Sequence, residues 1–269
     1  MAQCNLGTMF DGGRGVLQSD SKAVYWYKKS ADKGASQAQC HLGIMFDEGR
    51  GVAQSAAKAV QWFTKAANSG NAQAQCTLGL FYVAGRGVAQ SYQESARWYK
   101  KAADQRDAEA QCELGVHCVL GGGVPQSDAK SLFWYRKAAE QGHVWAQCAM
   151  GQFYGNGRGV KQSDEEAAQW FKTAADQGNA VAQCHLGALY SEGADVAQSD
   201  AEALALYRKS ASQGYANAQF NLGLAYAGGH GVDWSNVEAA RWFKRAADQG
   251  HPDAQFNLGV LHKNGPKKT

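Results

Sequence analysis

From Ser36 to Phe46 the apolar residues Ala38, Leu42, Met45 and Phe46 fall at i, i+4, i+7 and i+8, which places them on one face of a helix. Cys40 and Gly43 lie on another side, so this helix is contacted from at least two directions. The pattern breaks at Gly49-Arg50-Gly51-Val52, where glycines supply positive φ to close the helix and Val52 tucks back as an apolar anchor. A second periodic stretch, Ala59, Trp62, Phe63, Ala66 and Ala67, predicts another helix with Lys65 on its solvent side. It begins near Ser55 and stops at Asn68-Ser69-Gly70, a glycine C-cap. Each unit is therefore helix, short loop, helix, short turn.

The unit recurs. Ala2-Gln3-Cys4-Asn5-Leu6-Gly7 returns almost unchanged at Ala38, Ala74, Ala110, Ala146, Ala182, Ala218 and Ala254, always 36 residues apart. A constant period of that length is the signature of a solenoid, in which each unit is too small to bury its own apolar face and stacks on its neighbours. The chain reads as one array over 1–269 without a domain boundary. It holds seven near-complete units, a final first helix at about 252–262 and a polar tail at 263–269. Serine opens every second helix, at 19, 55, 91, 127, 163, 199 and 235, and Glu94, Glu166, Glu202 and Glu238 complete capping boxes with four of them. Glycine recurs inside the first helix at 7, 43, 79, 115, 151, 187, 223 and 259, costing about 1 kcal/mol each time relative to alanine. That penalty predicts a neighbouring helix too close for a Cβ.

Some units depart from the pattern. Gly121-Gly122-Gly123-Val124-Pro125 and Gly193-Ala194-Asp195 replace the Gly-Arg-Gly loop, Arg106 stands at the turn glycine, and Leu206 takes the place of Trp26, Trp62, Trp98, Trp134, Trp170 and Trp242. Leu258 and Leu261 have no following partner, which predicts further repeats or self-association through the ends.

Composition narrows the partners. A net charge of +3 from 27 basic and 24 acidic residues, with the signs interspersed, offers no field for nucleic acid or an anionic membrane. There is no signal-peptide pattern, no run of eighteen apolar residues and no Asn-x-Ser/Thr acceptor, as expected of a soluble protein. Six cysteines (4, 40, 76, 112, 148, 184) share one repeat position with Phe220 and Phe256, which is packing behaviour. Equivalent atoms of stacked repeats lie roughly 10 Å apart, beyond the roughly 7 Å Cα limit of a disulfide. The ladder and the odd Cys118 are expected as free thiols, which fits the cytoplasm or another reducing compartment.

On these residues the chain resembles the Sel1-like repeat family, which is related to tetratricopeptide repeats. The matching pattern is Ala38-x-x-x-Leu42-Gly43-x-x-Phe46-x-x-Gly49-x-Gly51-Val52, then Ala59-x-x-Trp62-Phe63-x-Lys65-Ala66-Ala67-x-x-Gly70. The resemblance implies an all-α fold, a right-handed α/α solenoid with first helices on the concave side and second helices outside. It also implies an adaptor or scaffold for protein complexes.

Helical geometry leaves positions 37, 41, 44 and 48 and their equivalents on the remaining arc, and these vary from unit to unit. A binding strip and a relaxed solvent face both predict that. Trp145 is out of character among Gln37, Gln73, Glu109, Val181, Asn217 and Asp253, and reads either as an interface anchor or as packing on Val144 or Val181. Glu113, Val116, Gln152, Asn156, His185, His41 and Leu224 complete the candidate binding face. Arg14, Arg50, Arg86 and Arg158 form either an edge for acidic peptides or phosphate groups or a solvated edge. His117, Cys118 and Glu113 lack zinc-ligand spacing, and no catalytic constellation is specified, so no metal, no cofactor and no enzyme activity are expected. The expected partner is a protein or peptide on the concave face, with head-to-tail self-assembly as the alternative.

Overall fold

The computed structural model describes residues 2–193 and 196–264. Fifteen α-helices and no strand occur among them, in two compact units, 1–141 and 142–269. The first holds α1 (Ala2–Gly12), α2 (Asp20–Ala31), α3 (Ser36–Glu48), α4 (Ala56–Asn68), α5 (Ala72–Ala84), α6 (Tyr92–Asp104), α7 (Ala108–Leu120) and α8 (Asp128–Glu140). The second holds α9 (Val144–Asn156), α10 (Asp164–Asp176), α11 (Ala180–Glu192), α12 (Asp200–Ser212), α13 (Ala216–Gly228), α14 (Asn236–Asp248) and α15 (Pro252–Asn264). This is an all-α solenoid of stacked helix pairs with the 36-residue period of the sequence. The departure expected at 194–195 and the tail at 265–269 lie outside the described residues.

All seven serines cap their helices, each side-chain oxygen accepting the backbone N–H three residues on. The capping box, however, is only half formed. The serine N–H that a glutamate would take is already donated to a first-helix carbonyl, as from Ser55 to Phe46 (2.8 Å) and from Ser91 to Tyr82 (3.0 Å). That bond ties the two helices of a unit together across the glycine loop. Gly49 and Gly51 adopt φ 74° and 67°, as that turn requires.

The close approach expected at Gly43 exists, and an aromatic ring makes it. A Cβ at Gly43 would stand 2.5 Å from the ring of Phe63, and Gly7, Gly79, Gly151 and Gly223 face Tyr27, Tyr99, Phe171 and Phe243 in the same way. These rings, one residue after the repeated tryptophan, are the centre of each layer. Several of the tryptophans lie under cations, as with Lys65 over Trp62 (4.2 Å) and Lys101 over Trp98 (4.0 Å), and Trp98 and Trp134 are buried with the core. Lys65 is thus a lid on its own helix as well as a solvent-side charge.

A glutamine ladder, unremarked in the sequence, joins successive units. Gln75 donates to the Ala67 carbonyl (2.9 Å) and accepts from Gln105 (2.7 Å); Gln111 with Ala103 and Gln141 repeats the arrangement. At Gln39 the ladder is incomplete, because Ser69 stands where Gln105 and Gln141 stand in later units. The Gln39 Oε1 is consequently buried without a hydrogen-bond partner. Ser69→Gln is expected to supply that donor and to stabilise residues 1–141 by about 1 kcal/mol, read as a raised urea midpoint. An unchanged midpoint would show that the orphan carries no penalty.

Candidate functional site

The packing positions of the first helices are buried and the arc beside them is open. In α3, Ala38, Leu42 and Met45 are closed off, whereas Gln37 and Glu48 are exposed and His41 and Ile44 half-buried. The same division holds in α9, where Ala146, Met150 and Phe153 are buried, Gln152 is half-buried and Asn156 is exposed. Trp145 lies 63% exposed on that arc, although Val144 and Val181 on either side of it pack against the core.

The candidate residues distribute over the two units. His41, Glu113 and Val116 belong to 1–141; Trp145, Gln152, Asn156, His185 and Leu224 belong to 142–269. His41 stacks on Tyr27 (4.7 Å between ring centroids) and His185 on Phe171 (5.0 Å). Burial lowers the pKa of both imidazoles below the ordinary value, against a smaller opposing pull from Asp11 on His41. Both present a ring edge, with one face already occupied.

Two concavities fall on this arc. In residues 1–141, Glu113 and Val116 come together with Tyr92 and Leu120 around a cavity of about 320 Å³. In residues 142–269, Leu224 borders a more polar cleft of about 450 Å³ with Asp200, Tyr207, Asn221 and His230. Tyr92 and Tyr207 lie outside the arc positions read from the sequence, since second helices contribute them, whereas Leu120 holds the arc position of Glu48 at the end of α7.

The loop arginines have partners of their own. Arg50 bonds Asp11 and, at 2.8 Å, Asp20, and Arg86 pairs with Asp47 at 2.8 Å. Arg158 lies over the Phe153 ring, 4.9 Å from its centroid, and Arg14 is exposed. The hydrogen bonds raise the pKa of the Arg50 guanidinium above its usual value, and an outside anion at Arg50 would have to displace carboxylates of the preceding unit.

The seven cysteines are free, and all but Cys76 are buried. Burial raises the Cys40 and Cys148 thiols to about 11 and those of Cys112 and Cys184 to about 12. None is poised as a nucleophile. Among the described residues no group of three or more His, Cys, Asp or Glu is placed to hold a metal ion, and no helix is long and apolar enough to cross a membrane.

Comparison with known proteins agrees with this architecture. The Sel1 repeat family model matches residues 1–34, 36–71, 72–107, 108–143, 146–179, 180–215, 216–251 and 252–268. The chain is similar to c5321, a protective antigen present in uropathogenic Escherichia coli strains whose crystal structure displays an SLR fold. The two are 38% identical with a TM-score of 0.93, over 98% of this chain and 57% of that one. It is also similar to the Sel1 repeat protein from Oxalobacter formigenes, at 35% identity and a TM-score of 0.77, over 97% of this chain and 75% of that one. This chain therefore spans little more than half the length of the Escherichia coli protein. A search of the curated proteins finds no match.

Proposed function

Because the chain belongs to the Sel1 repeat family, we propose that it is a non-catalytic adaptor that takes a peptide or protein segment along the exposed arc of its first helices. The observation that carries this reading is Trp145, a large aromatic left 63% exposed on a rigid helix whose packing positions are closed. An aromatic so held loses little entropy on contact, which is why tryptophan is enriched among interface anchors. The arc varies from unit to unit on a constant frame, so it supplies specificity without altering the fold. The Sel1 repeat fold is consistent with an interaction scaffold.

Affinity capture with the intact array and with Trp145→Ala in parallel tests it. A specific partner should be lost or bound about 30-fold more weakly by the variant, the effect of removing an anchor worth about 2 kcal/mol. An unchanged set of partners discards Trp145 as the anchor.

Self-association is the second reading, favoured by α15. Its Phe256 is 71% exposed, and Gly259 has nothing within 4 Å of a Cβ, whereas its equivalents in earlier units face an aromatic ring. Sedimentation equilibrium showing a monomer at every concentration would remove this reading.

A further inference from the structure

Within residues 1–141 the loop arginines at 50 and 86 tie each unit to the one before it. Arg50 reaches Asp11 and Arg86 reaches Asp47, two equivalent acids. The next pair in that series is Val83 and Gly122, so acid and base are lost together. The space opens as the cavity of about 320 Å³, walled by Val83, Tyr92, Val116, His117 and Leu120 with Glu113 at its border. Leu120 is 73% exposed, and the Tyr92 ring is also partly open to solvent.

The wall is held in place. His117 occupies the buried position of Met45 and Phe81, with its Nδ1 bonded to the Gly122 carbonyl and its Nε2 3.2 Å from the Ser95 hydroxyl. Its ring packs edge-on against Tyr92 and Tyr99. Both ring nitrogens are thus used inside the protein, and the imidazole contributes carbon surface to the cavity. Glu113 and, one turn earlier on α7, the exposed Glu109 make the surroundings acidic, and no lysine or arginine lines the cavity. After burial, the charges of Asp107, Glu109 and Glu113 raise the pKa of the Cys76 thiol further.

We propose that this cavity seats one aliphatic or aromatic side chain of a basic peptide, whose lysine or arginine lies against Glu109 and Glu113. The proposal rests on the adaptor reading and names the partner's chemistry. An apolar seat of fixed shape rewards a buried side chain, and the acidic border selects cationic neighbours while repelling anionic lipid and nucleic acid.

Selection of a displayed random 12-residue peptide library against the full chain, followed by anisotropy with fluorescein-labelled synthetic copies, tests the proposal. Enriched peptides should share an apolar residue with lysine or arginine within four positions. The double substitution Val83→Asp with Gly122→Arg fills the cavity with the ion pair that earlier units carry; Gly122 is outside the left-handed region, so its backbone accepts a side chain once the His117 ring, 3.3 Å from the added Cβ, gives way by a few tenths of an ångström. This variant should keep its thermal midpoint and bind those peptides at least tenfold more weakly. Glu113→Gln should weaken binding severalfold and reduce its salt dependence. If the double variant fails to fold, Leu120→Ala at a mostly exposed position carries the same expectation. Peptides that bind the filled variant undiminished but lose affinity to Trp145→Ala, or enriched peptides that are acidic, overturn the cavity while leaving the adaptor reading. A selection that enriches nothing overturns both.

Discussion

Gly51→Ala is expected to destabilise residues 1–141 by about 3–4 kcal/mol, more than any other glycine-to-alanine change in a loop or turn of that unit outside the equivalent positions. Two effects add. Gly51 sits at φ 67°, where an L-residue costs about 1–2 kcal/mol. An added Cβ would also stand 2.5 Å from both the carbonyl carbon and oxygen of Asp20, backbone atoms at the start of α2 that cannot turn aside. Overlap of this kind costs about 1–3 kcal/mol. Gly70→Ala separates the two effects: its φ is 84°, but nothing lies within 4 Å, so about 1 kcal/mol is expected. At Gly43 the backbone is helical, and alanine gains about 1 kcal/mol of propensity against the overlap with Phe63. A net loss of about 1–2 kcal/mol follows, relieved in part by Phe63→Leu. Urea unfolding of the three variants checks the order, and equal midpoints for Gly51→Ala and Gly70→Ala would show that the Asp20 contact yields freely.

Alkaline pH should have an effect of similar size or larger. The Cys40, Cys112, Cys148 and Cys184 thiols are raised by burial to about 11, 12, 11 and 12. In the unfolded chain these thiols ionise near the ordinary value of about 8.5–9. Above that pH the unfolded state releases protons that the folded state keeps, so it binds fewer of them and stability falls as pH rises. Full stability is present below about pH 8, and the loss runs from about pH 9 towards pH 11–12. Each thiol contributes roughly 1.4 kcal/mol per pH unit in that window, and the four together roughly 4–6 kcal/mol by pH 10. Thermal midpoints at pH 8 and pH 10 measure the loss. A variant with alanine at all four positions should show a much shallower fall, and an equal fall in that variant would assign the effect to other groups.

The period of 36 and the positions of Ala38, Leu42 and Ala66 were enough to place the helices, because burial in a stack imposes the same spacing on every unit. Ser55 and its equivalents marked the start of each second helix for an equally local reason: a hydroxyl three residues from a free N–H. The glutamates that suggested capping boxes misled, since the N–H they would bind is taken by a carbonyl nine residues upstream, a contact between helices. The glutamine ladder was in plain view as Gln39, Gln75 and Gln111. Its meaning depends on Gln105 and Gln141, whose distance in sequence conceals their contact.

The candidate binding face divides along the same line. Helical geometry alone put Trp145, Gln152 and Asn156 on an open arc, and periodicity suffices for that because it fixes direction around a helix axis. The cavity at Glu113 and Val116 required more, namely the loss of charge at Val83 and Gly122, which is visible in the chain but signifies nothing until Arg50 is seen reaching Asp11. The sequence by itself thus determined the repeating fold and which residues lie on the open arc, since both follow from spacing along one helix. Only the tertiary structure decided which of the variable residues enclose a space, because enclosure depends on side chains from successive units meeting, and that distance is set by packing.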